Sequence, residues 1–260
     1  MNPFQLTATT ALAALSISLQ AASLAPLRAS CSISASNETG KFSLHVDRGD
    51  CDGGHRCGSN FSNESMDRFT GIALTDLSRD GATLAATLTA EAGTFVCSGT
   101  VHNGELEGNS IFTPDAAFVE RMDRMGYSGF DSEKLEAYAF VGVDSEWVQT
   151  IKQTGIQGVT IDNLIALRIF KVNPEYIHGI TALGYDLPNA DQLVGLKVQG
   201  VNAEEVRQIR ALGFQPTLDE LVQIRIFHIT PDFIQRMQER GLKDLTIAKL
   251  VQIRIFKLAE

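Results

Sequence analysis

The heptapeptide LVQIRIF stands at residues 221–227 and again at residues 250–256, and the structure that it adopts decides the fold of more than half the chain. Its apolar residues alternate as they would in a β-strand, and its β-branched side chains favour the same interpretation. Of the related segments that begin at residues 135, 164 and 193, LIALRIF keeps this pattern, whereas LEAYAFV and LVGLKVQ bring alanine, glutamate and glycine. The register of the surrounding sequence therefore has to decide between strand and helix.

That register is a repeat of about 29 residues. A glycine recurs at intervals of 29, 29, 29 and 28 residues, at Gly126, Gly155, Gly184, Gly213 and Gly241. A leucine keeps step at intervals of 29, 29, 28 and 29 residues, at Leu135, Leu164, Leu193, Leu221 and Leu250. A fixed period in this range is typical of solenoids, in which each unit stacks on its neighbours. The sequence therefore predicts five stacked units.

The first half of each unit has the signals of a helix. Short polar side chains that can cap a helix N-terminus recur as Thr113, Asp144, Asn173, Asn202 and Thr230. In three units a proline follows at the first helical position, as Pro114, Pro174 and Pro231. About ten residues later the repeated glycine supplies the left-handed conformation that ends a helix. Each unit is therefore predicted to begin with a helix.

The second half repeats the capping signal. A capping residue stands four residues before the repeated leucine, at Asp131, Thr160, Asn189, Thr217 and Thr246. Thr217 and Glu220 form a capping box. LVQIRIF is therefore predicted to be the second helix of its unit. Because its apolar side chains cover most of the circumference, this helix is expected to pack between its neighbours.

Residues 31–112 have a different pattern, with runs of period two separated by turns such as DRGD, SRDG and EAG. Asn103-Gly104 between two runs predicts a type I′ hairpin, whose central residues both need positive φ. The segment is expected to form a small antiparallel sheet. Together with the repeats at residues 113–260, this makes the predicted fold class α+β, a β-domain followed by an all-α solenoid.

All four cysteines, Cys31, Cys51, Cys57 and Cys97, precede residue 100. Four thiols allow three pairings, and we predict Cys51 with Cys57 and Cys31 with Cys97, in keeping with an oxidising compartment. The alternative is a metal site that includes His55, between Cys51 and Cys57. Its spacing fits no common zinc pattern.

Residues 1–25 are apolar, rich in alanine and leucine, and uncharged, which predicts a secretory signal peptide and a periplasmic or secreted protein. A buried N-terminal helix or an uncleaved anchor are the alternatives. After cleavage no integral membrane span is expected. The net charge of -9 and the pI near 5.1 argue against nucleic acid as a partner, since such binders carry a basic surface.

Two columns of side chains are candidates for binding. A basic ladder, formed by Arg168, Lys197, Arg225 and Arg254, recurs at one position of the second helix and could bind an acidic or extended peptide. The alternative is that these are solvated side chains that pair with acidic residues of adjacent units. An aromatic column recurs in the first helix as Phe118, Trp147, Tyr176 and Phe233, with Glu205 interrupting it. It predicts inter-repeat core, or alternatively an aromatic binding stripe.

Motifs of catalysis are missing from the sequence. It has no G-x-S-x-G elbow, Walker loop or G-x-G-x-x-G fingerprint, and the five histidines have no metal-ligand spacing. We therefore predict no catalytic residue, no metal and no cofactor.

The strings EAGTFVCSGTVHNGELEGNSIFTP (residues 91–114) and TPDAAFVERMDRMGY (113–127) resemble the extracytoplasmic C-terminal regions of BlaR-type antirepressor membrane metallopeptidases. So do FKVNPEYIHGITALGY (170–185) and FHITPDFIQRMQERG (227–241). The resemblance covers residues 90–260. The chain has no HExxH motif and no set of membrane-spanning helices, so the resemblance implies an appended sensor or interaction role and no peptidase activity.

Solenoids present long surfaces and usually bind proteins or peptides. The first functional hypothesis is therefore an exported, non-enzymatic interaction or scaffold module with a protein or peptide partner. The second is an extracytoplasmic sensor that binds a small ligand or a cell-wall fragment in the β-domain or at the domain junction. The third is a hydrolase without a recognisable motif.

Overall fold

The computed structural model describes residues 24–51 and 55–258, with the side chains of residues 50, 51, 55–57 and 63 left out. These residues form a six-stranded antiparallel sheet followed by ten α-helices, which confirms the predicted fold class. The predicted signal peptide lies outside the described residues apart from its last two positions. The predicted Cys51–Cys57 pair and the alternative site at His55 also lie outside the described side chains.

The strands are β1 (Leu27–Ala35), β2 (Lys41–Cys51), β3 (His55–Ser65), β4 (Thr83–Ala90), β5 (Gly93–His102) and β6 (Glu105–Pro114). Their order in the sheet is β3-β2-β1-β6-β5-β4. Two three-stranded meanders are thus joined by the antiparallel pairing of β1 with β6. At the β5–β6 hairpin, Asn103 has φ 52° and Gly104 has φ 84°, which confirms the predicted turn.

The sheet curves sharply around β6, and a disulfide spans the curve. Cys31 in β1 and Cys97 in β5 are bonded with 6.1 Å between their Cα atoms, although β6 lies between the two strands. Two flat inter-strand spacings would separate them by about 9.6 Å. Gly99 and Gly108 are paired across β5 and β6 at this place, and a Cβ on Gly108 would stand 2.0 Å from the carbonyl oxygen of Ser98. The predicted Cys31–Cys97 disulfide is confirmed.

The helices alternate between first and second helices of the units. The first helices are α1 (Ala116–Arg124), α3 (Ser145–Gln153), α5 (Pro174–Thr181), α7 (Ala203–Ala211) and α9 (Pro231–Glu239). The second helices are α2 (Ser132–Val141), α4 (Ile161–Ile169), α6 (Ala190–Val198), α8 (Leu218–Ile226) and α10 (Ile247–Phe256). LVQIRIF thus lies in helices α8 and α10, as predicted.

Every predicted cap of a second helix is confirmed. The side chains of Asp131, Thr160, Asn189, Thr217 and Thr246 each accept a hydrogen bond from the backbone N–H three residues later. Thr217 and Glu220 form the predicted capping box. Replacing such a cap by alanine typically lowers the free energy of unfolding by about 1 kcal/mol. Ten caps at fixed offsets therefore set where the helices of the repeat begin.

The cap predicted for the first unit is wrong. Thr113 and Pro114 are not the cap and first residue of α1, because both remain in β6, opposite Thr94 and Gly93 of β5. The ladder of the hairpin continues to Pro114, so the helix starts at the next polar residue. Asp115 caps α1 by accepting from the N–H of Phe118 at 2.8 Å.

The second helices form one continuous layer, in which each of α2, α4, α6 and α8 packs on the next. Helix α2 also packs on β4, β5 and β6, so the repeats begin against the sheet. One core cluster runs from the sheet through the first units as far as Leu193, and a second fills the later units. The sheet and the first units therefore share their core.

Tyr138 of α2 lies within this shared core and predicts an alkaline limit to stability. Its hydroxyl donates to the carbonyl oxygen of Ile161 at 2.8 Å. Burial, and next the charge of Asp162, raises the pKa of Tyr138 well above the usual value of 10.0. Because the folded state holds the phenol protonated, this contribution to stability is complete below about pH 10, the ordinary tyrosine pKa, and is lost above it.

We expect the urea midpoint to fall between pH 10 and pH 11.5, and to fall less steeply in Tyr138→Phe than in the unchanged chain. The phenylalanine variant should also be about 1 kcal/mol less stable at pH 8, since the carbonyl of Ile161 loses its donor. Equal slopes in the two proteins would contradict the assignment to Tyr138.

Candidate interaction surface

The basic ladder lies against the first helix of each unit, and three of its cations stack on the aromatic column. The distance from the cation to the ring centroid is 5.1 Å for Arg168 over Trp147, 4.3 Å for Lys197 over Tyr176 and 4.2 Å for Arg254 over Phe233. Contacts of this kind contribute about 0.5–2 kcal/mol each. The ladder and the aromatic column, which the sequence presents as separate features, form one set of contacts inside the units.

In the fourth unit Glu205 replaces the aromatic residue, and the contact becomes an ion pair. The Nη1 of Arg225 donates to both carboxylate oxygens of Glu205, at 3.1 and 2.9 Å. The Glu205 side chain is only 16% exposed. A small gap lies beside the pair, lined by Val201, Glu205, Val206, Ile209, Leu221, Ile224 and Arg225. The carboxylate thus keeps the guanidinium partnered, but it fills the position less completely than a ring.

Two members of the ladder also bind the end of the preceding second helix. The Nε of Arg225 donates to the carbonyl oxygen of Gln199 at 2.9 Å, and Arg254 donates to that of His228 at 3.0 Å. Cations at helix C-termini satisfy carbonyl groups that lack helical partners and complement the helix dipole. The ladder therefore ties adjacent units together, and its predicted role in binding an acidic partner stays a prediction.

A substitution in the fourth unit tests this compensation. We expect Glu205→Ala to lower the free energy of unfolding by about 1 kcal/mol, because it leaves the half-buried Arg225 without its carboxylate. Glu205→Phe should restore the cation–π contact of the other units and be at least as stable as the unchanged chain. Urea unfolding measures both. If the phenylalanine variant is less stable than the alanine variant, the two columns are not interchangeable as described.

Two further contacts fix the first unit to the sheet. Arg48 of β2 forms a buried ion pair with Glu136 of α2. Arg68, in the 3-10 turn after β3, donates to the carbonyl oxygens of Ala139 and Phe140 at 3.0 and 2.6 Å. In the first unit Arg68 thus binds carbonyls at the end of α2, as Arg225 and Arg254 do for preceding helices in later units. The sheet supplies the cation that the first unit lacks.

Glu91, in the turn between β4 and β5, holds the start of α3. It accepts hydrogen bonds from the backbone N–H and the hydroxyl of Ser145, both at 2.6 Å, and pairs with Arg121 at 2.7 Å. Partial burial opposes ionisation, but the hydrogen bonds from Ser145 and the charge of Arg121 outweigh it and lower the pKa of Glu91. The junction between sheet and repeats is therefore polar at its edges and apolar inside.

An exposed apolar row runs along the layer of second helices. It consists of the residue that follows each member of the ladder, namely Ile169, Val198, Ile226 and Ile255, and is called the aliphatic row below. These side chains are 52%, 50%, 49% and 50% exposed, and Phe170 and Phe256 beside two of them are exposed as well. The sequence expectation that LVQIRIF packs on all sides is therefore wrong at this position. Isolated surface apolar residues are ordinary, but contiguous patches mark interaction sites.

In the first unit the position of the aliphatic row is already covered. Phe140 occupies it and is 5% exposed. The ring of Phe61 in β3 stacks on it with 4.1 Å between centroids, and Phe95 in β5 meets it edge-on at 4.9 Å. A cleft of about 460 Å³ lies between β3 and the helices and is lined by residues that include Arg48, Phe61 and Ile169. The aliphatic row thus begins where the sheet ends.

An acidic row lies at the other end of the same helices. It consists of the second residue of α2, α4, α6 and α8, namely Glu133, Asp162, Asp191 and Asp219, all of which are exposed. Carboxylates are favoured here by the helix dipole. Lys134 pairs with Asp162 of the next unit, and the amide of Asn163 donates to Asp191 at 2.6 Å. The acidic row therefore also helps to hold neighbouring units in register.

Within residues 24–51 and 55–258 there is no cluster of three or more His, Cys, Asp or Glu side chains that could hold a metal ion. No helix in the same ranges is long and apolar enough to cross a membrane. Comparisons with protein-family models, with curated proteins and with solved structures found no match. The resemblance to BlaR-type regions therefore stays a prediction, and the class that the structure defines is a curved β-sheet continued by helical repeats.

Proposed function

We propose that the chain is an exported, non-enzymatic interaction module that binds a partner protein on the aliphatic row of its second helices. The observation that carries the proposal is the half-exposure of an aliphatic side chain at one position of four successive units. Core packing does not require these residues to be apolar, because the buried positions of each helix are filled by other side chains, such as Leu221 and Ile224 in α8. A repeated, exposed apolar position favours an extended binding surface.

Two further features support the same proposal. The Cys31–Cys97 disulfide is typical of proteins in oxidising compartments, which supports export. The four ladder cations already contact aromatic, carboxylate or carbonyl groups of the repeats, so the aliphatic row is the more accessible candidate. The apolar face of α2 offers an internal example, since the sheet itself covers it at Phe140.

Site-specific photo-crosslinking in the native host tests the proposal. A photoreactive residue at Ile226 should capture a discrete partner, because this side chain is central in the aliphatic row. The same residue at Gln208, on the outer face of α7, is the matched control and should capture none. The variant Ile169→Ser/Val198→Ser/Ile255→Ser should remove the crosslink at residue 226 while keeping its thermal unfolding close to that of the unchanged chain.

The ladder hypothesis has its own variant in the same experiment. Lys197→Gln removes a ladder charge, and we expect it to leave the crosslink intact. If Lys197→Gln abolishes the crosslink and the serine variant does not, the binding surface is the ladder and the proposal is wrong.

A second candidate function, a sensor for a small ligand or a cell-wall fragment, rests on the cleft between β3 and the helices. Its volume of about 460 Å³ is within the range of ligand sites, and Arg48 and Glu136 line it beside apolar residues. A thermal-shift screen with cell-wall fragments tests it, with Phe61→Ala as the variant that opens the cleft. A shift that the variant abolishes would support this function, and the absence of any shift would count against it.

A further inference from the structure

We infer that the partner of the aliphatic row is an extended, basic segment that carries an apolar side chain at about every third residue. This inference rests on the proposed function, since it concerns the same surface. Three observations carry it: the charge beside the row, the conformation of the segment that covers the row in the first unit, and the distance between successive members of the row.

The acidic row determines the charge of the partner. In each of α4, α6 and α8 an aspartate lies seven residues before the exposed aliphatic side chain, which is about 10.5 Å along the helix axis. On the opposite side, Lys171 and Lys257 follow the row by two residues, but the equivalent residue of the third unit is Gly200. The acidic border is continuous over four units and the basic border is interrupted. Lysine or arginine side chains of the partner are therefore favoured on the acidic side.

The sheet shows which conformation this surface accepts. The segment that covers Phe140 is β3, an extended strand, and its Phe61 side chain lies flat on the phenylalanine ring. On the adjacent strand, Arg48 pairs with Glu136 of the same helix. In the first unit, an extended chain thus brings an aromatic side chain and a nearby arginine to the helix surface. A partner that continues along the row extends this existing interface to the next four units.

The spacing of the units determines the period of the partner sequence. Adjacent packed helices lie about 8–10 Å apart, so successive members of the aliphatic row recur at about that distance. A polyproline II segment rises about 3.1 Å per residue and presents the same face every three residues, or about 9.3 Å. A β-strand repeats its face after about 6.7 Å, which falls out of step within two units. An apolar residue at every third position therefore matches the row.

Synthetic peptides test this inference on the full-length protein. The probe is a fluorescent twelve-residue peptide of four Leu-Pro-Lys repeats, and fluorescence anisotropy measures its dissociation constant. We expect binding that is at least about 10-fold tighter than that of four Leu-Pro-Glu repeats, and that weakens as salt is raised. The variant Ile169→Ser/Val198→Ser/Ile226→Ser/Ile255→Ser keeps the charge of the chain and should bind at least about 10-fold more weakly. Asp191→Asn/Asp219→Asn should bind about 3-fold or more weakly.

Each comparison has an outcome that overturns the inference. Equal affinity of the lysine and glutamate peptides would exclude a basic partner, and equal affinity of the serine variant would show that the peptide binds elsewhere by charge alone. Tighter binding of an amphipathic leucine-lysine helix of the same charge would exclude the extended conformation. If no peptide binds, the inference is wrong, whereas the crosslink at Ile226 would still support the proposed function. If the crosslink also fails, both are wrong.

Discussion

Replacing Arg48 by methionine is expected to lower the free energy of unfolding by about 3–5 kcal/mol, although the residue lies in a strand and its partner in a helix 88 positions away. In the ion pair, the side chain of Glu136 is 7% exposed and that of Arg48 is 17% exposed. Removing the cation leaves a carboxylate buried between the sheet and α2 without compensation. The loss therefore reflects the cost of an unpaired buried charge more than the net value of the pair.

A double substitution separates these two quantities. In the other units the residue equivalent to Glu136 is Ile165, Val194, Val222 or Val251, so valine is the side chain that the repeat normally packs at this position. We expect Arg48→Met/Glu136→Val to recover most of the stability lost in Arg48→Met, because a buried ion pair can be replaced by apolar groups of similar size at little cost. Urea unfolding of the single and double variants gives both values. If the double variant is as unstable as the single one, the arginine contributes through packing and not through its charge.

The repeat architecture could be predicted from the sequence because its determinants are local. A cap, a left-handed glycine and a leucine at fixed offsets act within one helix, and five copies agree. The error at Thr113 has the opposite cause. Two backbone hydrogen-bonding patterns compete for the same residues, and the ladder between β5 and β6 continues through the first possible cap. A non-local interaction thus overrode a correct local signal.

The parts that could not be predicted depend on contacts between distant residues. That Arg225 needs Glu205, while Arg168 needs Trp147, becomes visible only when the two helices of a unit are placed side by side. The same holds for the curve at Gly99 and Gly108, whose role depends on which strands are neighbours. The aliphatic row was hidden for another reason: an apolar residue in a helix looks alike in sequence whether it faces a neighbour or solvent.

The left-handed ends of the second helices illustrate how a signal can be present but weak. The residue after LVQIRIF and its equivalents has positive φ in all five units, at Gly142, Lys171, Gly200, His228 and Lys257. Only two of these are glycine, so the position does not stand out as the repeated glycine of the first helices does. A pattern of conformation is shared here by residues that share no chemistry.

The second large effect is expected from the disulfide between Cys31 and Cys97. The bond closes a loop of 66 residues, and the loop-closure entropy that it removes from the unfolded chain corresponds to about 4 kcal/mol. Cys31→Ala/Cys97→Ala should lose stability of that order. Cys51→Ala/Cys57→Ala is the matched control, because it keeps the bond across β6, and reductant should then destabilise the control by the same amount as the alanine pair at 31 and 97.

Where the loss appears is as informative as its size. Trp147 is the only tryptophan of the chain, and it lies in the second unit beside the core cluster that also contains Cys31 and Cys97. Because sheet and first units share that cluster, the fluorescence of Trp147 and the circular dichroism of the sheet should shift to lower urea together when the bond is removed. A tryptophan transition that stays in place while the sheet signal moves would show that the repeats fold without the sheet. In that case the covered position at Phe140 would be an additional, dissociable part of the aliphatic row, and the surface open to a partner would be one unit longer.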